Sequence, residues 1–135
     1  MKKIILDTNV FLVCISSKSK LHWIYNALIT NKFQLCISTE ILLEYEKIIS
    51  IHMGAKAAEN ALGVLMNLPN LFFVTNYFRF NLLNDEDDNK FVDCAIASNA
   101  DFIVSHDKDF KVLEQVDFPK ILVVDTVEFA TNLQN

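Results

Sequence analysis

Four acidic residues stand where a carboxylate is costly. Asp7 follows the apolar run Ile4-Ile5-Leu6, and Asp107 lies two residues past the apolar run 102–105. Both runs read as short buried strands. Both acids therefore fall just beyond strand carboxyl ends, where open α/β sheets build their sites. Glu44 lies on a helical stretch that begins near residue 39. Turning about 100° per residue from Ile41 places it at about 300°, inside the apolar arc of that helix. Asp93 sits in the middle of a stretch that is apolar nearly all round, with Phe91, Val92, Cys94, Ala95, Ile96 and Ala97. Its own face carries Asn89, Ile96, Ala97 and Ala100, and the small side chains leave room for another element or an ion.

Taken singly, each acid has a structural explanation. Asp7 suits a cap, Glu44 a lysine partner, and Asp93 a buried backbone donor. Asp107 suits the turn His106-Asp107-Lys108-Asp109. Taken together, converging carboxylates without matching basic partners repel one another. Divalent cations relieve that repulsion, and oxygen-only ligands select hard ions such as Mg²⁺ or Mn²⁺. Asn9 is placed to hold a carboxylate or a metal-bound water. The run Asp85-Glu86-Asp87-Asp88 reads as a solvated loop that caps the next helix, with Asp88 the member nearest the site.

Alternating elements must position these groups. Strand signals fall at 3–6, 33–37, 71–74, 102–105 and 121–124. Helical periodicity falls at about 21–29, 39–51, 56–66 and 88–99, and a short helix follows the capping-box sequence Asp125-Thr126-Val127-Glu128. Strands separated by helices predict an α/β fold with a central, mainly parallel five-stranded sheet between helical layers. With no repeat and no linker, residues 1–135 read as a single domain.

Composition removes several function classes. The net charge of −5 and the single arginine, Arg79, argue against a passive nucleic-acid binder. An acidic chain can still act on nucleic acid if ions cover its carboxylates. Gly54 and Gly63 are too far apart for a Walker loop or a dinucleotide fingerprint. Cys14, Cys36 and Cys94 are odd in number, form no CxxC pair and have apolar neighbours, which predicts reduced core thiols. No apolar run approaches the roughly 18 residues of a membrane span. Asp7 and Asn9 interrupt the signal-like start. The expectation is a soluble cytoplasmic protein without a membrane partner.

Four segments then carry a family resemblance. Ile5-Leu6-Asp7-Thr8-Asn9-Val10-Phe11 resembles the opening motif of the PIN-domain nucleases. Ser38-Thr39-Glu40-Ile41-Leu42-Leu43-Glu44-Tyr45 resembles their second motif. Residues 87–97, Asp-Asp-Asn-Lys-Phe-Val-Asp-Cys-Ala-Ile-Ala, resemble the third, and residues 100–110 the fourth. The likeness covers essentially the whole chain, in order, and is nearest to the prokaryotic VapC-like toxins of toxin–antitoxin pairs. Ser105 stands where Thr is frequent, and His106 where a small or basic residue is commoner.

The resemblance implies a three-layer α/β/α fold and a Mg²⁺- or Mn²⁺-dependent endoribonuclease that hydrolyses RNA by a metal-activated water. It implies Asp7, Glu44, Asp93 and Asp107 as the catalytic, metal-holding residues, with Asp88 as a further candidate ligand. Asn9, Ser105 and Asp109 would support them. It also implies a homodimer and a cognate antitoxin partner. Lys18, Lys20, Lys90, Lys108 and Lys111 are the lysines placed to rim the site against RNA. The main alternative is a non-catalytic PIN-like module that binds protein or RNA. That reading predicts loss of site acids, and all four are present. A phosphoacceptor receiver needs an acid after the third strand, where Thr75 and Asn76 stand. A haloacid-dehalogenase-like phosphatase needs Asp where Asn9 stands.

Overall fold

The computed structural model describes residues 1–83 and 85–134, with backbone alone for Glu86. Five strands form one all-parallel sheet: β1 (Lys3–Leu6), β2 (Gln34–Ile37), β3 (Leu71–Phe73), β4 (Phe102–Val104) and β5 (Val123–Val124), in the spatial order β3-β2-β1-β4-β5. β1 is central and β4 is its neighbour on the far side from β2. The chain steps outward from β1 to β3, then jumps back across the sheet to β4. Right-handed crossovers send connections of opposite direction over opposite faces, which yields the three layers. The same reversal makes a switch point between β1 and β4, and the crevice above their carboxyl ends is the natural place for a site.

The helices are α1 (Thr8–Cys14), α2 (His22–Ile29), α3 (Thr39–Met53), α4 (Ala55–Met66), α5 (Glu86–Ser98) and α6 (Thr126–Gln134), with a 3₁₀ helix over Lys108–Gln115. Ser38 caps α3 by accepting from the Ile41 amide at 3.3 Å. Gly54, at φ +95°, makes the corner between α3 and α4, a conformation L side chains rarely adopt. β1 is buried from Ile4 to Leu6, and β4 throughout. Phe129 of α6 packs its ring against Trp23, Phe33 and Phe102, tying the chain's last helix to α2, β2's approach and β4.

The sequence-predicted elements are present, β5 being shorter than the predicted 121–124, and three further differences bear on the site. α1 begins at once after β1, whereas Asp7 had marked only a strand end. The 3₁₀ helix fills a stretch read as an Asp-rich turn. α5 begins at Glu86, two residues earlier than its periodicity indicated, because Asp85 caps it by accepting from the Asp87 amide at 2.9 Å. The three cysteines are buried and free, and burial pushes the Cys14 thiol up to about 12. No helix among the described residues is long and apolar enough to cross a membrane.

Candidate active site

The β1–β4 ladder runs one residue beyond β1, because the Asp7 amide donates to the Val104 carbonyl at 3.0 Å. That register sets Asp7 beside Ser105. The Ser105 hydroxyl donates to Asp7 Oδ2 at 2.7 Å and accepts from the Asp107 amide at 2.9 Å. One hydroxyl thus couples two acids from strands about a hundred residues apart in sequence. The Asp7 side chain makes no N-cap bond to α1, and Asp7 lines the crevice. Asn9 and Asp107 line the same cleft, about 280 Å³ in volume.

Asp88 is the third member. It lies on the buried stripe Asp88, Phe91, Val92, Ala95 of α5 and is itself 9% exposed. Its Oδ2 is buried without a hydrogen-bond partner. Burial, and then the charges of Asp107, Asp85, Asp7 and Asp109, push its carboxyl up to about 7. Burial also raises the Asp7 carboxyl, opposed by the Ser105 hydroxyl and the Thr8 amide and reinforced by Asp107 and Glu44. Asp85, Asp88 and Asp109 each offer an oxygen within 4.8 Å of the others. An orphaned buried carboxylate oxygen among four other acids fits an oxygen-ligated divalent cation, which would supply the missing positive charge.

Glu44 borders this group but is already engaged. Its Oε1 accepts from Lys90 Nζ at 2.6 Å, and its Oε2 from the Thr8 hydroxyl. The pair is only 13% and 21% exposed at the side chains, so it is partly shielded from solvent. Tyr45, the next residue, is fully buried, stacks on Phe11 at 4.5 Å and donates to the Leu6 carbonyl. It thereby fixes α3 against the end of β1.

Asp93 lies apart from the cluster. Its Oδ1 accepts from the Phe80 amide at 3.1 Å, and the charges facing it are Glu40 and Arg79. One turn earlier, Asn89 accepts from the Leu83 amide at 2.9 Å and donates to the Leu83 carbonyl at 3.0 Å. Asn89 and Asp93 therefore form one face of α5 that fastens the segment 80–83 by its backbone. Five helical positions separate Asp88 from Asp93, a rotation of about 140°. The structure sets Asp85, Asp88 and Asp109 within reach of one another and joins Asp7 to Asp107 through Ser105; the charges of Asp7 and Asp107 act on Asp88, Glu44 acts on Asp7, and Asp93 lies on the other face of α5. Asp85 was not singled out from the sequence. Its signal was there, since it caps the helix whose first turn holds Asp88. Asp109, expected in support, donates its amide to Asp107 Oδ1 at 2.9 Å. His106 Nε2 lies 3.1 Å from the Thr126 hydroxyl, in no triad-like arrangement.

Comparison with known proteins places the geometry in context. A family model described as PIN domain matches residues 3–109. The chain resembles VapBC2 of Rickettsia felis, crystallised with a DNA fragment from its promoter. That match has a TM-score of 0.64 and 16% identity and covers 91% of this chain and 98% of that one. It also resembles VapC20 of Mycobacterium tuberculosis, a sarcin–ricin loop cleaving toxin, at TM-score 0.57 and 16% identity over 80% and 92% of the two chains. A third likeness is to the PIN domain endonuclease Utp24, at TM-score 0.55 and 18% identity over 92% and 84%. No curated protein matches the chain.

Proposed function

The chain belongs to the PIN-domain family, and on that premise we propose that it is a divalent-metal-dependent endoribonuclease. The observation that carries the reading is the buried, unpartnered Asp88 oxygen, grouped with Asp85 and Asp109 and under the charges of Asp7 and Asp107. In this reading Asp7, Asp88 and Asp107 hold Mg²⁺ or Mn²⁺, with Asp85 and Asp109 completing the acidic rim. Such an ion, when bound, lowers the pKa of a bound water and screens charge on the phosphate. Ser105 orients Asp7 and holds the Asp107 backbone in place. Lys90 and Thr8 fix Glu44, and Lys90 adds a fixed cation at the wall of the crevice. Asp93 acts at one remove, by holding the 80–83 segment against α5. We further propose a toxin role with a cognate antitoxin, supported by the likeness to VapBC2 and VapC20.

The test is cleavage of total RNA by the purified protein with Mg²⁺ or Mn²⁺. Cleavage that stops with EDTA and falls at least about a hundredfold in Asp88→Asn supports the reading. Cleavage that persists in Asp88→Asn at the wild-type rate overturns the site assignment. No cleavage of any RNA with metal bound moves the chain to the non-catalytic binding module.

A further inference from the structure

Asp88 and Lys90 stand two positions apart on α5, a rotation of about 200°, so they leave the helix on opposite sides. On the Asp88 side, Asp85 and Asp109 offer oxygens within 4.8 Å, and one Asp88 oxygen is buried with no partner. On the Lys90 side stands Glu44 of α3, and both of its carboxylate oxygens are taken. Lys90 Nζ donates to Oε1 at 2.6 Å, and the Thr8 hydroxyl donates to Oε2. Lys90 Nζ also lies 3.9 Å from Asp87. Among the described residues, Lys90 is the one basic side chain that forms an ion pair with any of Asp7, Glu44, Asp85, Asp88, Asp107 and Asp109.

Thr8 ties this pair to the crevice, because it follows Asp7 directly in the chain. The charge of Glu44 is felt at Asp7. A carboxylate there, with its side chain only 21% exposed, needs a positive partner. A divalent ion would meet that need, and the Lys90 ammonium meets it in the same place. It is a compact point charge on a flexible stem. It neutralises the carboxylate but offers none of the Lewis acidity of a metal ion.

We propose that Lys90 takes the place of a second divalent cation, so that the crevice binds a single ion on the Asp88 side and Glu44 is not among its ligands. The proposal deepens the metal-dependent reading above and rests on it for the ion on the Asp88 side. Lys90 is then a positioning residue that sets how many ions the site holds. A tie that merely fastens α3 to α5 would use the same contact and leave the number of ions untouched.

The experiment is isothermal titration calorimetry of the full, metal-free chain with Mn²⁺ alone, read as ions bound per chain and checked by equilibrium dialysis. Wild type is expected to bind one Mn²⁺. Lys90→Met keeps an apolar stem and removes the charge, and it is expected to bind two. Lys90→Arg, which restores a cation, is expected to bind one. Lys90→Met/Glu44→Gln is expected to bind one, because the second ion needs the Glu44 carboxylate. Glu44→Gln alone keeps an acceptor oxygen for Lys90 and is expected to bind one Mn²⁺ with an affinity within about threefold of wild type. Circular dichroism checks the fold of each variant, and if Lys90→Met does not fold, Glu44→Gln decides the proposal.

Two ions in wild type overturn the proposal, as does one ion in a folded Lys90→Met or two in the double variant. A loss of affinity of about tenfold or more in Glu44→Gln also overturns it, because Glu44 is then a ligand. A wild type that binds no ion, beside a Lys90→Met that binds one and loses it with Glu44→Gln, supports the role of Lys90 while the metal-dependent reading fails. No ion in either chain overturns both.

Discussion

At the residue scale, the choice between Asp88 and Asp93 is decided by what each oxygen already touches. Asp93 spends one oxygen on the Phe80 amide, whereas Asp88 has a buried oxygen with no partner and four acids around it. Removing one charge from a shared cation site costs more than removing one from a backbone latch. Calorimetric titration with Mn²⁺ is therefore expected to show at least about a tenfold loss of affinity in Asp88→Asn, a cost of about 1.4 kcal/mol. Asp93→Asn, which keeps an acceptor oxygen, is expected to stay within about twofold. Equal losses would return Asp93 to the metal site. The raised Asp88 carboxyl adds a pH dependence. Its value of about 7 in the folded chain exceeds the ~3.9 of an unfolded aspartate, so the fold prefers the proton. That contribution is complete below about pH 4 and is lost as pH rises through about 7. Metal-free wild type is expected to lose stability relative to Asp88→Asn across that window in urea unfolding. Mn²⁺ competes with the same proton, so its affinity is expected to rise from pH 5.5 to 8.

At the element scale, helix starts and corners determine which faces meet. α5 begins at Glu86 because Asp85 caps it, and that start places Asp88 on the stripe with Phe91, Val92 and Ala95. The sequence reads the acidic run as a capping loop with Asp88 as the member nearest the site, but periodicity alone does not mark Glu86 and Asp87 as the first turn of the helix. The opposite face of α5, with Asn89 and Asp93, was legible as polar positions in a buried helix, but their targets were not. Both bind backbone groups of an irregular segment that no pattern identifies. α1 was missed for a related reason: a seven-residue helix that follows a strand without a linker has too short a period to detect. The α3–α4 corner gives a direct test. Gly54 has φ +95° and open space where a Cβ would stand, so Gly54→Ala incurs backbone strain alone. The expected loss is about 1–2 kcal/mol in chemical denaturation, with Mn²⁺ affinity unchanged because the corner lies away from the acids.

At the scale of the whole molecule, the order β3-β2-β1-β4-β5 places the carboxyl ends of β1 and β4 side by side, and the acids of both ends share one crevice. An ion bound there joins β1, β4 and α5, and the unfolded chain has no such site. Mg²⁺ or Mn²⁺ at about a hundred times its dissociation constant is expected to stabilise the fold by about 2.7 kcal/mol. For a chain of this length that is a rise of roughly 8–10 °C in Tm. Differential scanning calorimetry should show the rise in wild type, its reversal by EDTA, and its absence in Asp88→Asn. An equal rise in Asp88→Asn would mean that the ion binds elsewhere.

The sequence by itself determined the alternation of strands and helices, the parallel sheet, and the rule that acids after β1 and β4 belong to one crevice. Those follow from period, burial and chain direction, which are local properties that add up along the chain. Only the tertiary structure decided which acids of α5 and α3 join them. A rotation of about 140° separates Asp88 from Asp93 on one helix, and the packed face depends on the cap at Asp85 and on the strands beneath. Lys90 meets Glu44 across 46 residues, and Ser105 meets Asp7 across 98. Such meetings depend on strand register and helix packing together, and no window of sequence contains both partners.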